Sequence, residues 1–594
     1  MPAATDEALS VRSIFGQTVR GRALASTLAP SLDRVLGMDQ IRGVYREVVS
    51  SEEGSFCERA LRTLGVSATV RREDLSHIPA SGPTIIVANH PLGGLDGLLL
   101  LELANRVRAD VKLMANGLLG AMPGLAPDIL PVDVFGSGGQ AGGANAMALR
   151  RAIRWLRSGG CIASFPAGEV SRLRFRDGEV SDGPWSASVA MLARCTGARV
   201  VPVCFEGRNS WLFQTLGRVH PAVRTCLLPR ELLWKRNSRV LVRVGASVAP
   251  AKLGSFDDDA RAAAYLRART YLLSDRARAE SDGPPESAVA PPIPAALLEQ
   301  EVRSLGPDRT LATTGDLRVL IAGAGEIPRV LEEIGRLREV TFRAVGEGTG
   351  QATDLDRFDR TYRHIFVWDD AQQRVVGAYR LGLTDELVRP GVTDALYTAT
   401  LFRYRPAQLR LLVPGIELGR SFVRAEYQRD YSPLLLLWQG IGRFVAANPR
   451  YKLLFGTASI SDTYSSLTQK LLVRFLTAAF GPGEFADLAE PKLPPRFARS
   501  RERETDLACS TISDVGDADD LVAAIDPHGR GVPVLLRHYF RLGARLIGFN
   551  VDPTFGNALD GLIVVDLTKA PTRLVARYMG QDGYRAFMAH HAAD

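Results

Sequence analysis

The chain has 594 residues, 46% hydrophobic, 23% charged and 7% aromatic, with a formal net charge of +8 and a mean hydropathy near zero. That apolar fraction, without a dominant repeat, excludes disorder, collagen and coiled coil as descriptions of the whole, and allows about two to four domains. The cationic excess favours anionic partners: nucleic acid, an acidic carrier protein or lipid headgroups.

The opening Met1-Pro2-Ala3-Ala4-Thr5-Asp6-Glu7 lacks the basic and apolar regions of a signal peptide. The uncharged stretches that approach the length of a membrane span, such as Ile78 to Leu95, are broken by Pro, Gly, Asn and His. A soluble cytoplasmic protein is the expectation. Cys57, Cys161, Cys195, Cys204, Cys226 and Cys509 show neither CxxC nor metal-ligand spacing, so buried reduced thiols are expected and no metal.

The first half alternates strand-like and helix-like runs. Thr84–Ala88, Cys161–Phe165, Arg199–Phe205 and Val240–Val244 are short, apolar and β-branched; Ala144 to Arg157 and Ser186 to Thr196 between them read as helices. Alternation of this kind predicts an α/β domain around a largely buried sheet. Asn89-His90-Pro91-Leu92-Gly93-Gly94-Leu95-Asp96-Gly97 follows the first of these strands directly. A His in a Gly/Pro-rich turn faces a cleft, and Gly93-Gly94 let the chain fold back to bring Asp96 to the imidazole. A carboxylate on one ring nitrogen sets the tautomer and leaves the other nitrogen as a general base. The plain structural alternative is a His that only bonds its own turn.

Between Glu206 and Arg243, Arg208, Arg218, Arg224, Arg230, Lys235, Arg236, Arg239 and Arg243 outnumber the acidic residues, with Trp211, Leu212, Phe213, Leu232, Leu233 and Trp234 interleaved. This pattern suits an anionic membrane surface, or else an ordinary amphipathic face with tryptophans in the core. No nucleic-acid-binding motif accompanies the charge.

Arg276 to Ala296, rich in Pro, Ala and Ser, reads as the linker. The expected division is 1–275, a Pro/Ala-rich linker over 276–300, and 301–594. The second half opens with a strand at Arg318–Ala322 and a helix entered at Ile327-Pro328, with Leu331, Ile334, Leu337 and Val340 as its apolar stripe. Strands Ile365–Trp368 and Arg374–Leu381 follow across a turn at Asp369-Asp370-Ala371, then a helix from Pro433 to Ala447 and a strand Tyr451 to Phe455. Mixed α+β is the expected class. Arg338 and Phe342 share one face of the long helix. Gly346-Glu347-Gly348-Thr349-Gly350 has neither the Lys nor the preceding strand of a phosphate loop. The acidic run Asp354-Leu355-Asp356-Arg357-Phe358-Asp359 beside it suits a cationic small molecule.

Asn89-His90 through Asp96 resembles the first motif of the glycerolipid (lysophospholipid) acyltransferases, whose catalytic pair is a His and an Asp; here five residues separate them instead of the usual four. Phe165-Pro166-Ala167-Gly168 is similar to that family's Phe-Pro-Glu-Gly, with Ala167 in place of the Glu that helps bind the acceptor and Glu169 two positions on. Val201-Pro202-Val203 is similar to its closing strand motif. The resemblance implies that His90 and Asp96 are catalytic and that Phe165, Pro166, Gly168 and Glu169 bind substrate. No Lys or Arg stands between Lys112 and Arg150, where the family supplies an Arg for phosphate; the segment reads Leu130-Pro131-Val132-Asp133-Val134-Phe135-Gly136. A dianionic phosphate without a guanidinium fork is poorly held, so the hydroxyl acceptor is expected not to be a phosphate monoester.

The second half resembles the N-acyl amino acid synthases of the GNAT-like superfamily, related to acyl-homoserine-lactone synthases. Arg338, Phe342, Trp368, Arg380 and Glu417-Leu418-Gly419-Arg420, before a strand Ser421–Val423, carry the resemblance, which runs from about Leu317 to Leu567. It implies acyl transfer to an amino acid's amine, Glu417 orienting or deprotonating that amine and Arg338, Phe342, Asp354, Asp356, Trp368, Arg380 and Arg420 binding substrate. The plain alternative is a structural ion pair between Glu417 and Arg420.

Together the halves resemble the bifunctional ornithine-lipid synthases. That resemblance implies transfer of a 3-hydroxyacyl group from acyl carrier protein to the α-amine of ornithine or a similar amino acid by the second half, with glycine, glutamine and lysine as the open alternatives. O-acylation of the resulting lyso-lipid by the first half follows, with acyl carrier protein or acyl-CoA as donor. No bound cofactor is expected. The protein is expected to work in the cytoplasm, peripherally on the inner face of the membrane. A lysophospholipid acyltransferase with an accessory GNAT-like domain and a non-catalytic haemolysin-like membrane binder are the alternatives; only the latter keeps its activity in His90→Ala.

Overall fold

A computed structural model describes residues 37–51, 53–116, 124–132, 139–174, 179–216, 221–275, 287–389, 394–429, 432–497, 502–526 and 529–592. Two compact units divide the chain: Met1–Arg276 with Arg499–Thr511, and Ala277–Ala498 with Ile512–Asp594. Within the run read as a linker, residues 276–286 lie outside the described residues, and helix Ala295–Ser304 occupies its end.

The first unit is α/β. Its strands are β1 (Ser67–Thr69), β2 (Thr84–Ala88), β3 (Val111–Asn116), β4 (Ile129–Val132), β5 (Cys161–Ser164), β6 (Arg172–Arg174), β7 (Glu179–Ser181), β8 (Arg199–Phe205) and β9 (Arg239–Val244). One sheet has the order β1-β9-β8-β2-β5-β3-β4, and β6 and β7 form a separate hairpin. Central β2 runs parallel to both neighbours, β8 and β5, and all of its residues are buried. A strand covered on both faces accepts only small or apolar side chains, which accounts for Thr-Ile-Ile-Val-Ala. The helix Gly94–Asn105 that follows buries Leu95, Leu99, Leu100, Leu101 and Leu103, so it is apolar nearly all round and belongs to the core.

The second unit is α+β. Its main strands are β10 (Thr310–Thr314), β11 (Leu317–Gly323), β12 (Arg363–Asp369), β13 (Arg374–Leu383), β15 (Gly415–Val423), β16 (Leu453–Ile460), β18 (Arg545–Asp552) and β19 (Ala558–Asp566); β14 (Phe402–Tyr404) and β17 (Ala489–Pro491) pair apart. The sheet order is β10-β11-β12-β13-β15-β16-β19-β18, antiparallel except for the parallel pair β15–β16. Helix Pro328–Arg343 begins at the predicted proline. Val330, Ile334 and Leu337 pack into the apolar core, whereas Val340 is 43% exposed and leaves the expected stripe. In its place Arg338 and Glu339 are buried, because this helix turns a charged face inward.

Two boundaries also moved. The strand expected at Tyr451–Phe455 runs Leu453–Ile460. Glu417-Leu-Gly-Arg420 lies inside β15 instead of before it. Of the cysteines, Cys57, Cys161 and Cys204 are buried free thiols, but Cys195 is exposed on the polar side of helix Ser188–Thr196 and Cys509 is half-buried; the Cys226 side chain lies outside the described residues. Among the described residues no helix is long and apolar enough to cross a membrane, and no group of three or more His, Cys, Asp or Glu is placed to hold a metal ion.

Candidate active sites

Sites in parallel sheets form beyond the carboxyl ends of the strands. β2 ends at Ala88 and its neighbour β5 at Ser164, so Asn89-His90 and Phe165 leave the sheet side by side. The imidazole of His90 stacks on the Phe165 ring, centroids 4.1 Å apart. Asn89 clamps the turn to β8: its amide donates to the Phe205 carbonyl at 2.9 Å and its Oδ1 accepts from the Phe205 N–H at 2.7 Å.

His90 and Asp96 pair despite the longer spacing, Nδ1 to Oδ2 at 3.0 Å. The extra residue is absorbed at Gly93, whose φ of 79° and ψ of −131° suit glycine; a Cβ there would lie 2.6 Å from Leu228 Cδ2. Asp96 occupies the first turn of helix Gly94–Asn105, and its Oδ2 also accepts the Leu92 and Gly93 N–H groups at 2.8 and 3.1 Å. Burial pushes the Asp96 carboxyl up, and His90 with the two amides pulls it back. The His90 side chain is 18% exposed, and its Nε2 makes no hydrogen bond among the described residues. Nδ1 is tied to a carboxylate and Nε2 is open, which is the arrangement of a general base.

Behind His90 stands a buried hub that the sequence did not reveal. Asp182 Oδ1 accepts the His90 N–H at 3.2 Å and the Ser171 hydroxyl at 2.5 Å, and Oδ2 accepts the Trp185 indole N–H at 2.9 Å. The Ser171 N–H in turn donates to the His90 carbonyl at 2.8 Å. No motif marks Asp182; its position after β7 is a product of tertiary structure. Of the other expected residues, Pro166 is buried and its carbonyl accepts from Ser186 N–H, Gly168 turns with φ 67°, and Glu169 pairs with Arg172. The stretch without the family's phosphate-binding arginine falls partly at 133–138, outside the described residues. In the basic stretch, Phe213 is core, but Trp211 and Trp234 are 74% and 69% exposed.

The second unit gathers buried ions. Arg338 donates to Asp359 Oδ1 at 2.8 Å, and Arg380 to Asp356 Oδ1 at 2.6 Å with Asp359 Oδ2 at 3.3 Å. Asp356 and Asp359 cap each other in the short turn Arg357–Arg360, which aims both at Arg380. Burial pushes the Asp359 carboxyl up, but Arg338 and Arg380 outweigh it and hold it well below the usual carboxylate range. The remaining nitrogens of Arg338 and Arg380, Nε and one Nη each, are buried with no hydrogen-bond partner among the described residues. Arg420 reaches Asp354 at 3.1 Å and the Tyr397 hydroxyl at 3.2 Å. It can do so because β15 bulges: Arg380 pairs with Gly419 and Ala378 with Phe422, leaving Arg420 and Ser421 against Tyr379 alone, with Arg420 at φ 51°.

Glu417 is buried and fully engaged. Its oxygens accept the Tyr362 hydroxyl, the Tyr397 N–H at 3.1 Å and the Thr398 N–H at 2.6 Å. It organises the Tyr397 segment and makes no ion pair with Arg420, so the plain reading of that pair does not hold. The Tyr397 hydroxyl also meets Asp552 Oδ2 at 3.3 Å. Close by lie two carboxylates that burial drives up: Glu347 to about 7, and Asp560, with Asp552 and Glu347 adding repulsion, to about 8. Asp560 Oδ2 has no hydrogen-bond partner among the described residues. Phe342 packs edge-on against Phe555 at 5.1 Å. Trp368 sits in the apolar core with Phe366, Val375 and Phe422 and joins none of the ion pairs. The Gly346–Gly350 loop gives its Thr349 and Gly350 N–H groups to Glu339, not to a phosphate.

Fold and sites define an acyltransferase with two units in tandem. Residues 20–279 match the family described as Acyltransferase, and 337–439 the Acetyltransferase (GNAT) domain. A glycine N(alpha)-acyltransferase of Bacteroides thetaiotaomicron is 31% identical over 293 residues, 46% of this chain and 85% of that one. A lyso-glycine lipid O-acyltransferase of Phocaeicola vulgatus is 27% identical over 250 residues, 41% of this chain and 86% of its own. An L-ornithine N(alpha)-acyltransferase of Agrobacterium fabrum is 28% identical over 254 residues, 41% of this chain and 78% of its own. The chain belongs to the acyltransferases that join an Acyltransferase domain to a GNAT domain, a make-up that fits the bifunctional ornithine-lipid synthases.

Proposed function

We propose that the second unit transfers a 3-hydroxyacyl group from acyl carrier protein to the α-amine of a diamino acid, ornithine first among them, and that the first unit then acylates the 3-hydroxyl of that lyso-lipid. Relatives named for glycine and for ornithine match at similar identity, so the acceptor is argued from chemistry. One observation carries it: buried Asp560 feels the like charges of buried Asp552 and Glu347, and its opposing charge is the Arg420 guanidinium, itself paired with Asp354, an excess of carboxylate that a cationic ligand relieves. Glycine brings no side-chain ammonium to such a place; ornithine does. The unpartnered N–H groups of Arg338 and Arg380 suit the acceptor's carboxylate. Glu417 serves by holding Tyr397.

In the first unit the 3-hydroxyl oxygen attacks the thioester carbonyl while His90 Nε2 takes its proton. The C–S bond then breaks, and the thiolate leaves with the proton His90 returns. Asp96 holds the ring's tautomer throughout. Exposed Trp211 and Trp234, with Arg208, Arg230, Arg236 and Arg239 exposed around them, support docking on an anionic bilayer, where the lyso-lipid resides. Mass spectrometry of lipid extracts from a host expressing the chain tests the scheme. An ornithine lipid with an amide-linked 3-hydroxyacyl chain and an ester on its hydroxyl is expected; exclusive acylation of glycine would overturn the diamino-acid assignment.

A further inference from the structure

The chain returns to its first unit after most of the second has been made. Helix Glu502–Thr511 packs on helix Asp259–Leu272 within the first unit. Glu504, Thr505 and Ala508 are buried there, and Arg261 donates to the Ser510 carbonyl at 3.1 Å. One charged contact is sealed inside: Glu504 Oε1 lies 3.4 Å from Arg267 Nη1, and both side chains are almost wholly buried. The same guanidinium caps two carbonyls, Asp182 at 2.9 Å through Nη2 and Gly183 at 3.1 Å through Nε. Its Cζ lies 4.9 Å from the centroid of the Tyr271 ring, and the Tyr271 hydroxyl accepts the Asp182 N–H at 2.7 Å.

Asp182 is therefore fixed through its own backbone on both sides, and its carboxylate holds the His90 N–H, Ser171 and Trp185. A continuous set of buried polar contacts runs from Glu504 through Arg267 and Asp182 to His90. We propose that Glu504 is a positioning residue for His90, and that helix Glu502–Thr511 is an integral part of the O-acyl-transfer unit contributed by the later half of the chain. The inference rests on the reading of the first unit as the O-acyltransferase. A buried guanidinium needs its counter-ion to stay in place, and a planar fork is what spans two carbonyls. Without the carboxylate, Arg267 has reason to turn toward water and release Asp182, loosening the base relative to its Phe165 stack. Displacements of this size far from the reacting atoms lower turnover without weakening substrate binding.

The test uses the full chain and reads both activities on the same preparations. In Glu504→Ala, kcat for O-acylation of the lyso-lipid is expected to fall about tenfold to a hundredfold, with KM within twofold and N-acylation unchanged. Arg267→Lys, which keeps the charge but cannot cap both carbonyls, should fall as far. A purely structural helix would lower the folded fraction and leave kcat per folded molecule at the wild-type value, so folded Glu504→Ala with kcat within twofold of wild type overturns the proposal. If Glu504→Ala unfolds the first unit, the charge-free pair Glu504→Leu with Arg267→Met takes its place: a folded double variant with the same loss supports positioning, and one with wild-type kcat overturns it. Hydrogen exchange gives a readout independent of activity. Amides of residues 179–186 should exchange faster in Glu504→Ala even if the wild-type chain acylates no lyso-lipid, a result that would fault the functional reading alone; unchanged exchange would count against the positioning role itself.

Discussion

The two units solve opposite electrostatic problems. The first opens one ionisable pair to the edge of a buried sheet, with His90 open on one side and Asp96 closed off behind it, and uses Asp182, Arg267 and Glu504 only as buried supports. The second buries Arg338 and Arg380 among Asp354, Asp359, Asp552, Asp560 and Glu417, with half-buried Arg420 and Asp356 at their side. The difference matches the proposed acceptors. A neutral hydroxyl needs a base and little else, so the first site is lean and its neighbours serve to aim one ring. An amino acid arrives carrying charge, so the second site must hold fixed charges in place before the ligand comes, at a desolvation cost that only mutual pairing offsets.

Removing a group from the lean site should therefore damage rate, and removing one from the crowded site should damage the fold. The largest expected effect is His90→Ala, with O-acylation lowered about 10²- to 10⁴-fold, N-acylation intact and lyso-lipid accumulating in mass spectra. Full conversion of the lyso-lipid by that variant would remove His90 as the base. Next is Asp359→Ala, which strands Arg338 and leaves Arg380 with Asp356 alone; the second unit should lose about 3–5 kcal/mol in urea unfolding while the first unfolds as before. A loss below about 1 kcal/mol would mean that these arginines find water or other partners, and that the crowded site is less tightly built than its contacts indicate.

Much of this comparison was legible in the sequence where chemistry and local geometry coincide. The run from Asn89 to Asp96 carries its own turn residues directly after an apolar strand, so His90 and Asp96 stood out as candidates, but their pairing across five residues took the structure to establish. Arg338, Arg380 and Arg420 were found through their motif positions. Asp182, Arg267 and Glu504 were not, because they converge from hairpin, helix and a segment more than two hundred residues on, and no local pattern records such convergence. Asp359 stood in a run that was noticed, yet it takes a register across β12 and β13 to bring His364 and Arg380 beside it. Val340 misled for a similar reason: helical period gives the face of a helix, but the charged partner opposite decides which face turns inward.

Smaller effects separate a diamino acid from a neutral one. Asp560→Asn should raise KM for ornithine about tenfold, the loss of one charge-assisted contact of about 1.4 kcal/mol, and leave any activity toward glycine within twofold; equal losses for both amino acids would assign Asp560 to the shared backbone of the acceptor.

The same carboxylates set a pH dependence whose sign is fixed. Glu347 is raised to about 7 and Asp560 to about 8, so in the empty site both are partly protonated near neutrality. The folded unit thus binds more protons than the unfolded chain between the ordinary carboxylate range and about pH 8. The contribution of these two groups to stability is complete below that ordinary range and is lost as pH rises through 7 and 8. A cationic ligand favours the ionised forms, so its KM should fall about threefold or more from pH 6.5 to 8.5. The two groups repel each other and titrate as a set, so the change should be broad and not a single step. In Asp560→Asn the slope should shrink, since one titrating member is gone and only Glu347, held up chiefly by its burial, still titrates. A KM for ornithine that is flat across this range in both proteins would show that the carboxylates around Arg420 do not meet the acceptor's charge.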